Sequence, residues 1–247
     1  MLMDVLAVLV DLAKLTLFVA ATYAVLMAYT RRRSPHWAAY LTRRRLAVLG
    51  MLTLMMSAIK VMEDVLSLES GPVDTAVLWW LHAHTPATLA AFFTVLTQSG
   101  SARVLLPASV TLVLVLLVAR RHFEALLMGA SMLSASLLVY TLKAIVGRER
   151  PALWDTQWYW GSSFPSGHTL STAAFAGAAA LCLARLWPPS ATGAMLLAWA
   201  WAGAVALSRL VLGVHWPSDV LAALCLGSFI PLGLSVLFDQ GRRHGER

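Results

Sequence analysis

Charge is scarce in this sequence. Only 13% of its 247 residues are Asp, Glu, Lys or Arg, while 59% are hydrophobic. A soluble domain carries roughly 25% charged residues, so the shortage argues against one. Cysteine is nearly absent as well. Cys182 and Cys225 both lie inside apolar blocks, which leaves no disulfide framework and no metal-ligand spacing and marks them as small core residues. The start of the chain lacks the basic residues of a cleavable signal. It runs without a small-residue cleavage site into Arg31, Arg32 and Arg33. No internal repeat or low-complexity segment is visible.

What is present is a series of apolar blocks, each long enough to span a bilayer, for which a helix needs roughly 20 residues. Seven spanning helices are predicted: Val5 to Tyr29, Leu46 to Leu66, Val104 to Ala119, Ala125 to Val146, His168 to Leu186, Ala194 to Val211 and Val220 to Phe238. The fold class is all-α, a polytopic membrane helix bundle. Between the second and third spans, Gly71-Pro72 breaks the chain, and His82, His84, Thr85 and Pro86 interrupt an apolar stretch from Ala76 to Leu96. That stretch reads as one or two helices at the membrane interface, with Trp79 and Trp80 at headgroup level; a further span is the alternative.

The formal net charge is +7. The basic residues fall in short clusters between apolar blocks, which is how membrane proteins fix their orientation and is not the pattern of a nucleic-acid binder. Arg31 to Arg33 and Arg43 to Arg45 flank the first connection, Arg120 and Arg121 follow the third span, Arg185 the fifth, and Arg242, Arg243 and Arg247 the seventh. Seven alternating spans put all four places on one side, expected to be cytoplasmic. The N-terminus and the connections after spans four and six then lie outside, on the periplasmic or exterior face.

Three segments on that outer side are rich in ionisable groups. They are Lys143 to Pro151, Pro165 to His168, and Ser208 to Asp219. Ionisable groups near the bilayer core are costly, so they point to function. Snorkelling arginines and a capping serine would explain any one segment, but not three on one face. Lys143, Arg150 and Arg209 supply positive charge, and arginine forks match phosphate oxygens. Ser166 and Gly167 open a helix whose free N–H groups and dipole favour an anion, and His168 follows at the rim. His215 and Asp219 are four apart, and with Pro217 in a helical first turn the carboxylate reaches the ring from the same face. It would fix the tautomer and leave the other ring nitrogen free to attack phosphorus.

Taken together, the segments resemble the type-2 phosphatidic acid phosphatase superfamily, the lipid phosphate phosphatases. Its signature, Lys-x6-Arg-Pro, Pro-Ser-Gly-His and Ser-Arg-x5-His-x3-Asp, is matched at Lys143, Arg150 and Pro151, at Pro165, Ser166, Gly167 and His168, and at Ser208, Arg209, His215 and Asp219. The resemblance covers roughly Gly71 to the end of the last span. It implies a six-helix phosphatase core plus one extra N-terminal transmembrane helix, with residues 1–45 as that helix and a basic cytoplasmic loop, and residues 46–247 as the phosphatase domain. It further implies that His215 forms a phosphohistidine, that Asp219 orients His215, and that His168 protonates the leaving oxygen and then activates water. Lys143, Arg150, Ser166, Gly167 and Arg209 would hold the phosphoryl oxygens. Pro151, Pro165 and Ser208 complete the motif as structural residues. No metal and no cofactor is expected. The partners are a lipid phosphate substrate and the bilayer of a bacterial cytoplasmic membrane, with no nucleic acid; the oligomeric state is open. The roles predict a bell-shaped pH profile.

Undecaprenyl diphosphate, phosphatidic acid, phosphatidylglycerol phosphate and lipid A phosphates remain open as substrates. A phosphotransferase on the same scaffold and a non-catalytic lipid-binding or transport protein are the rival functions; the intact His168, His215 and Asp219 argue against the latter. Vanadium haloperoxidases share the motif, but this chain is rich in spanning helices. His82 and His84 would need a third metal ligand, and none stands out. Lys60, Glu63 and Asp64 read as a helix-end cluster. Arg148 and Glu149 lie inside the first motif without being specified by it, and either could tune substrate binding. Trp154, Trp158, Trp160 and Trp216 form an aromatic belt or a lipid-facing rim.

Overall fold

The computed structural model describes residues 2–156 and 161–245, with side chains from 10 to 239 outside the same gap. Trp158 and Trp160 lie outside the described residues. All regular structure among the described residues is helical. In hydrocarbon no water satisfies backbone N–H and C=O groups, so a spanning segment must bond them internally. By contacts the chain divides into two units, residues 1–60 and 61–247.

The first unit comprises α1 (Leu2–Arg33), α2 (Pro35–Arg43) and most of α3 (Arg45–Leu66). The basic connection expected as a loop is helical: Ser34 breaks α1, and Pro35 opens α2 in the first turn, where its missing N–H is harmless. Trp37 and Tyr40 pack edge to face, and the Arg44 guanidinium lies 5.5 Å from the Tyr40 ring centroid. Leu17, Phe18, Val25 and Leu46 remain largely exposed, as side chains facing lipid do.

The second unit holds the end of α3, then α4 (Gly71–His84), α5 (Ala87–Leu96), α6 (Ala102–Val118), α7 (His122–Val146), α8 (Gly167–Leu186), α9 (Ala191–Val211) and α10 (Pro217–Gly245), with 3-10 turns at Thr97–Gly100 and Pro188–Ser190. The interrupted stretch after α3 forms two short helices, α4 and α5. Helix α8 is the hub and packs most extensively on α9 and α10. Its inner faces are small: Ala173, Ala174, Ala176, Ala178 and Ala180 are buried. Between lipid-embedded helices the hydrophobic effect gives little, so close backbone approach supplies the packing. At Gly227 of α10 a β-carbon would stand 2.4 Å from the Leu170 carbonyl oxygen of α8.

Among the described residues six helices are long and apolar enough to cross a membrane: Val10–Arg33, Arg45–Leu66, His122–Val146, Gly167–Leu186, Pro188–Val211 and Pro217–Asp239. Helix α6, expected as a full span, has only 17 residues and contains Pro107. It makes a seventh span when joined to residues 87–100 across a 40° bend.

Candidate active site

The site is assembled from helix ends. Helix α7 stops at Gly147, whose left-handed φ of 61° ends it with a bond from its N–H to the Lys143 carbonyl. The chain then turns back, so that Arg148 and Arg150 return towards the start of α10. Helix α9 carries Arg209 in its last turn, and the turn after the helix contains Gly213 at φ 64°. A β-carbon there would meet the Trp154 ring at 2.6 Å, so the third motif segment is held tightly under that indole. Helices α8 and α10 begin at the same end of the bundle, at Gly167 and Pro217.

His215 is 2% exposed. Its Nε2 lies 3.3 Å from Arg150 Nη1 and its Nδ1 lies 3.5 Å from Asp219 Oδ2. A guanidinium can only donate, so Nε2 carries the lone pair and Nδ1 carries the proton, facing the carboxylate. The Nδ1 separation is long for a hydrogen bond; catalytic contacts are often loose before substrate binds. Burial pushes the His215 pKa down to about 4 from the ordinary 6.5; Asp219 works against that shift, and Arg209 and Arg150 add to it. The ring is therefore neutral at physiological pH.

Asp219 is fully buried. Its Oδ2 accepts from the Ser163 hydroxyl and, at 2.9 Å, from the Trp216 N–H, while Oδ1 accepts from Arg148 Nη1 at 2.7 Å. The Trp216 contact is half of a capping box, in which the third helical residue reaches back to the N-cap amide. One carboxylate thus caps α10 and faces the histidine ring.

The cations surround this pair. Arg150 donates to the carbonyls of Val214 at 2.8 Å and Gly161 at 3.2 Å, and Lys143 and Arg150 share the Ser162 carbonyl. Arg209 is fully buried, with Nη1 bonded to Thr97 Oγ1 at 2.8 Å. His168, in the first turn of α8, lies within electrostatic reach of Arg209, His215, Arg150 and Lys143. The Ser166 hydroxyl bonds Thr169, and its N–H donates to the Asp219 carbonyl. A β-carbon on Gly167 would make only an ordinary contact, 3.5 Å from Val139, so the protein itself leaves room for one. Pro151, Pro165 and Ser208 are buried supports. The Ser208 hydroxyl bonds back to the Val205 carbonyl at 2.5 Å, and Pro165 follows a cis peptide bond. All the residues expected at the site thus gather at one end of the helices.

Sequence reasoning missed several members. Thr97 bonds Arg209 and Ser163 bonds Asp219, while Asp74 and Ser218 bond Arg148, which in turn holds Asp219; all four stand outside the signature or at its unspecified positions. Only Asp74 carried a signal, as an acid in the first turn of α4, where the helix dipole explains it equally well. Arg148, whose spacing alone assigns it no role, turns away from the phosphate side: it grips Asp219 and Asp74, and Trp216 donates to the neighbouring Glu149 carbonyl. His82 stacks on Trp154 at 4.1 Å, and His84 bonds the Trp80 carbonyl at 2.8 Å. Both interfacial histidines are occupied by aromatic and backbone contacts.

Comparison with known proteins places this constellation. Residues 124–242, from α7 into α10, match the PAP2 superfamily model. Phosphatidylglycerophosphatase B of Escherichia coli is 43% identical over 63 residues, 26% of this chain and 24% of its own length. The lipid A 1-phosphatase of Rhizobium johnstonii is 31% identical over 116 residues, 43% of this chain and 44% of its own. The chain thus spans less than half the length of these curated relatives. A solved transmembrane PAP2-type phosphatidylglycerolphosphate phosphatase from Bacillus subtilis superposes with a TM-score of 0.71 at 24% identity, over 77% of this chain and 96% of that one, a likeness of fold. The chain is accordingly a multi-pass membrane protein, helical in all its described regular structure, whose residues 124–242 match the PAP2 superfamily model.

Proposed function

We propose that the chain is a membrane phosphatase that hydrolyses a lipid phosphate ester or diphosphate through a phosphohistidine. His215 Nε2 attacks phosphorus, and the bond from phosphorus to the lipid oxygen breaks. His168 gives its proton to that oxygen, and the free lipid alcohol or monophosphate leaves. His168 then takes a proton from water, which attacks the phosphohistidine, releases inorganic phosphate and restores His215. Lys143, Arg150 and Arg209, with the N–H groups at the start of α8, hold the phosphoryl oxygens as charge shifts onto them. The observation that carries this reading is the His215 ring, buried and neutral, with its lone pair at Arg150 and its other nitrogen at Asp219.

The names of the relatives support a lipid phosphate as substrate class. The arginines after α6 and at the end of α8 lie at helix ends opposite the site, which by the positive-inside rule supports a site facing the periplasm. The test is phosphate release by the purified full chain in detergent with excess chelator. The panel would contain phosphatidic acid, phosphatidylglycerol phosphate, undecaprenyl diphosphate and lipid A phosphates. The expected result is chelator-resistant release from at least one lipid and a loss of at least ~10³-fold in His215→Ala, since removing a nucleophile leaves little of the rate. Release by the variant at the wild-type rate, or none from any lipid, would overturn the reading.

A further inference from the structure

Behind Asp219 lies a second buried ion pair that the motif does not specify. Arg148 Nη1 donates to Asp219 Oδ1 at 2.7 Å and to Ser218 Oγ at 2.7 Å; Nη2 donates to Asp74 Oδ2 at 2.7 Å and to Ser70 Oγ at 3.2 Å. Asp74 turns its other oxygen to the start of α10, where Oδ1 accepts the Ser218 N–H at 2.9 Å, and its Oδ2 also accepts the Ser218 hydroxyl at 2.5 Å. The Asp74 and Asp219 side chains are 3% and 0% exposed, and that of Arg148 is 16%. The guanidinium lies 5.4 Å from the Trp216 ring centroid. A residue 74 positions upstream in α4 therefore closes a relay, Asp74 to Arg148 to Asp219 to His215, in which every link but the last is a short hydrogen bond.

Burying two carboxylates and one guanidinium is costly unless the geometry is good and remaining atoms are bonded, and here the serines and the Ser218 amide complete the bonding. Such an arrangement holds Asp219 in one orientation. It also divides the guanidinium charge between two carboxylates, so Asp74 limits how far Arg148 neutralises Asp219. We propose that Arg148 and Asp74 are positioning residues for the reaction: together they fix Asp219 against His215 Nδ1 and set how much of its negative charge reaches the ring. The inference rests on the phosphatase reading and adds two residues to it. The charged groups facing His215 are Asp219 of α10, Arg209 of α9 and Arg150 from the segment after α7, with His168 of α8 within reach; Arg148 and Lys143 act on Asp219, and Asp74 of α4 stands behind Arg148. Only the Arg148–Asp74 pair lies behind Asp219, away from the phosphate side, so changing it leaves the groups that hold the phosphoryl oxygens in place.

The test is the acid limb of kcat/KM for the full chain in detergent, on whichever lipid of the panel reacts fastest. The substrate's own ionisation is common to all variants, so differences between limbs belong to the protein. Arg148→Gln removes a positive charge near Asp219 and should move the limb up by ~1 pH unit; Asp74→Asn removes a more distant negative charge and should move it down by ~0.3 unit. The double variant should return towards wild type. A purely structural pair would instead lower kcat in both variants, leave the limbs where they are, and make the double variant no better than the worse single one. If Arg148→Gln does not survive extraction as a monodisperse species, the isosteric Asp74→Asn decides alone: a downward shift supports the proposal and a coincident limb overturns it. An active wild type, an inactive His215→Ala and coincident limbs in the variants would overturn this inference while leaving the phosphatase reading intact. A wild type inactive on every lipid would remove both.

Discussion

At His215 the two ring nitrogens meet opposite surroundings. A donor-only guanidinium stands at Nε2 and a carboxylate at Nδ1, and that asymmetry favours the tautomer that the proposed attack requires. Burial does the rest by disfavouring the charged ring and holding its pKa near 4. The sign of the pH dependence follows. In the proposed reaction the neutral ring is the active form, and its folded pKa lies below that of a free imidazole, so activity should persist below the ordinary 6.5 and fall only as pH drops through about 4. In the proposed reaction His168 must carry a proton to donate, which bound phosphate favours, so the alkaline limb expected from it belongs to the kcat profile of the substrate complex. A kcat/KM profile with its acid midpoint at the ordinary imidazole value would contradict the burial argument. The signature makes His215, Asp219, His168 and the three cations legible from the amino-acid sequence alone. Arg148 is not legible there, because its direction depends on the Gly147 turn and on Asp74, and neither its spacing nor its residue type says which way it faces.

Among the elements, the decisive feature is that the ends of α7 and α9 and the starts of α8 and α10 share one end of the bundle. Antiparallel order along the chain makes this visible, because alternating spans place those four termini on one side. Less legible are the elements whose pattern is weak. The basic connection before α3 proves helical, and the apolar run Val104 to Ala119 overstates the independence of α6 as a span because it does not announce the 3-10 turn and bend before it. What keeps α8 and α10 in register is close approach at small residues. The Gly227 site allows no β-carbon without displacing the α8 backbone, since the nearest atom is the Leu170 carbonyl oxygen at 2.4 Å. Gly227→Ala should therefore destabilise the bundle by about 1–3 kcal/mol, the usual range for overpacking. Thermal unfolding in detergent checks this: a lowered Tm is expected, and an unchanged Tm would mean that the helices do not cross as closely as described.

For the molecule as a whole, the scarcity of charge and the siting of what charge there is have one explanation. Large apolar side chains such as Val118, Tyr140, Ile145 and Leu197 stay exposed on helix surfaces, which is tolerable only in hydrocarbon. The buried ionisable groups concentrate at one helix end in unit 61–247; at the other, buried Glu124 and Asp239 meet the more exposed Arg185. The central claim is that the phosphoryl group rests on His215 between two half-reactions. The most direct measurement is an alkaline quench of the full chain during turnover of a phosphoryl-labelled lipid, followed by peptide mass analysis. The account predicts a label on the peptide containing His215, stable to base and lost in acid as a phosphoramidate is, and absent from His215→Asn. Turnover that leaves no label on any histidine, or a label on His168 in its place, would contradict it.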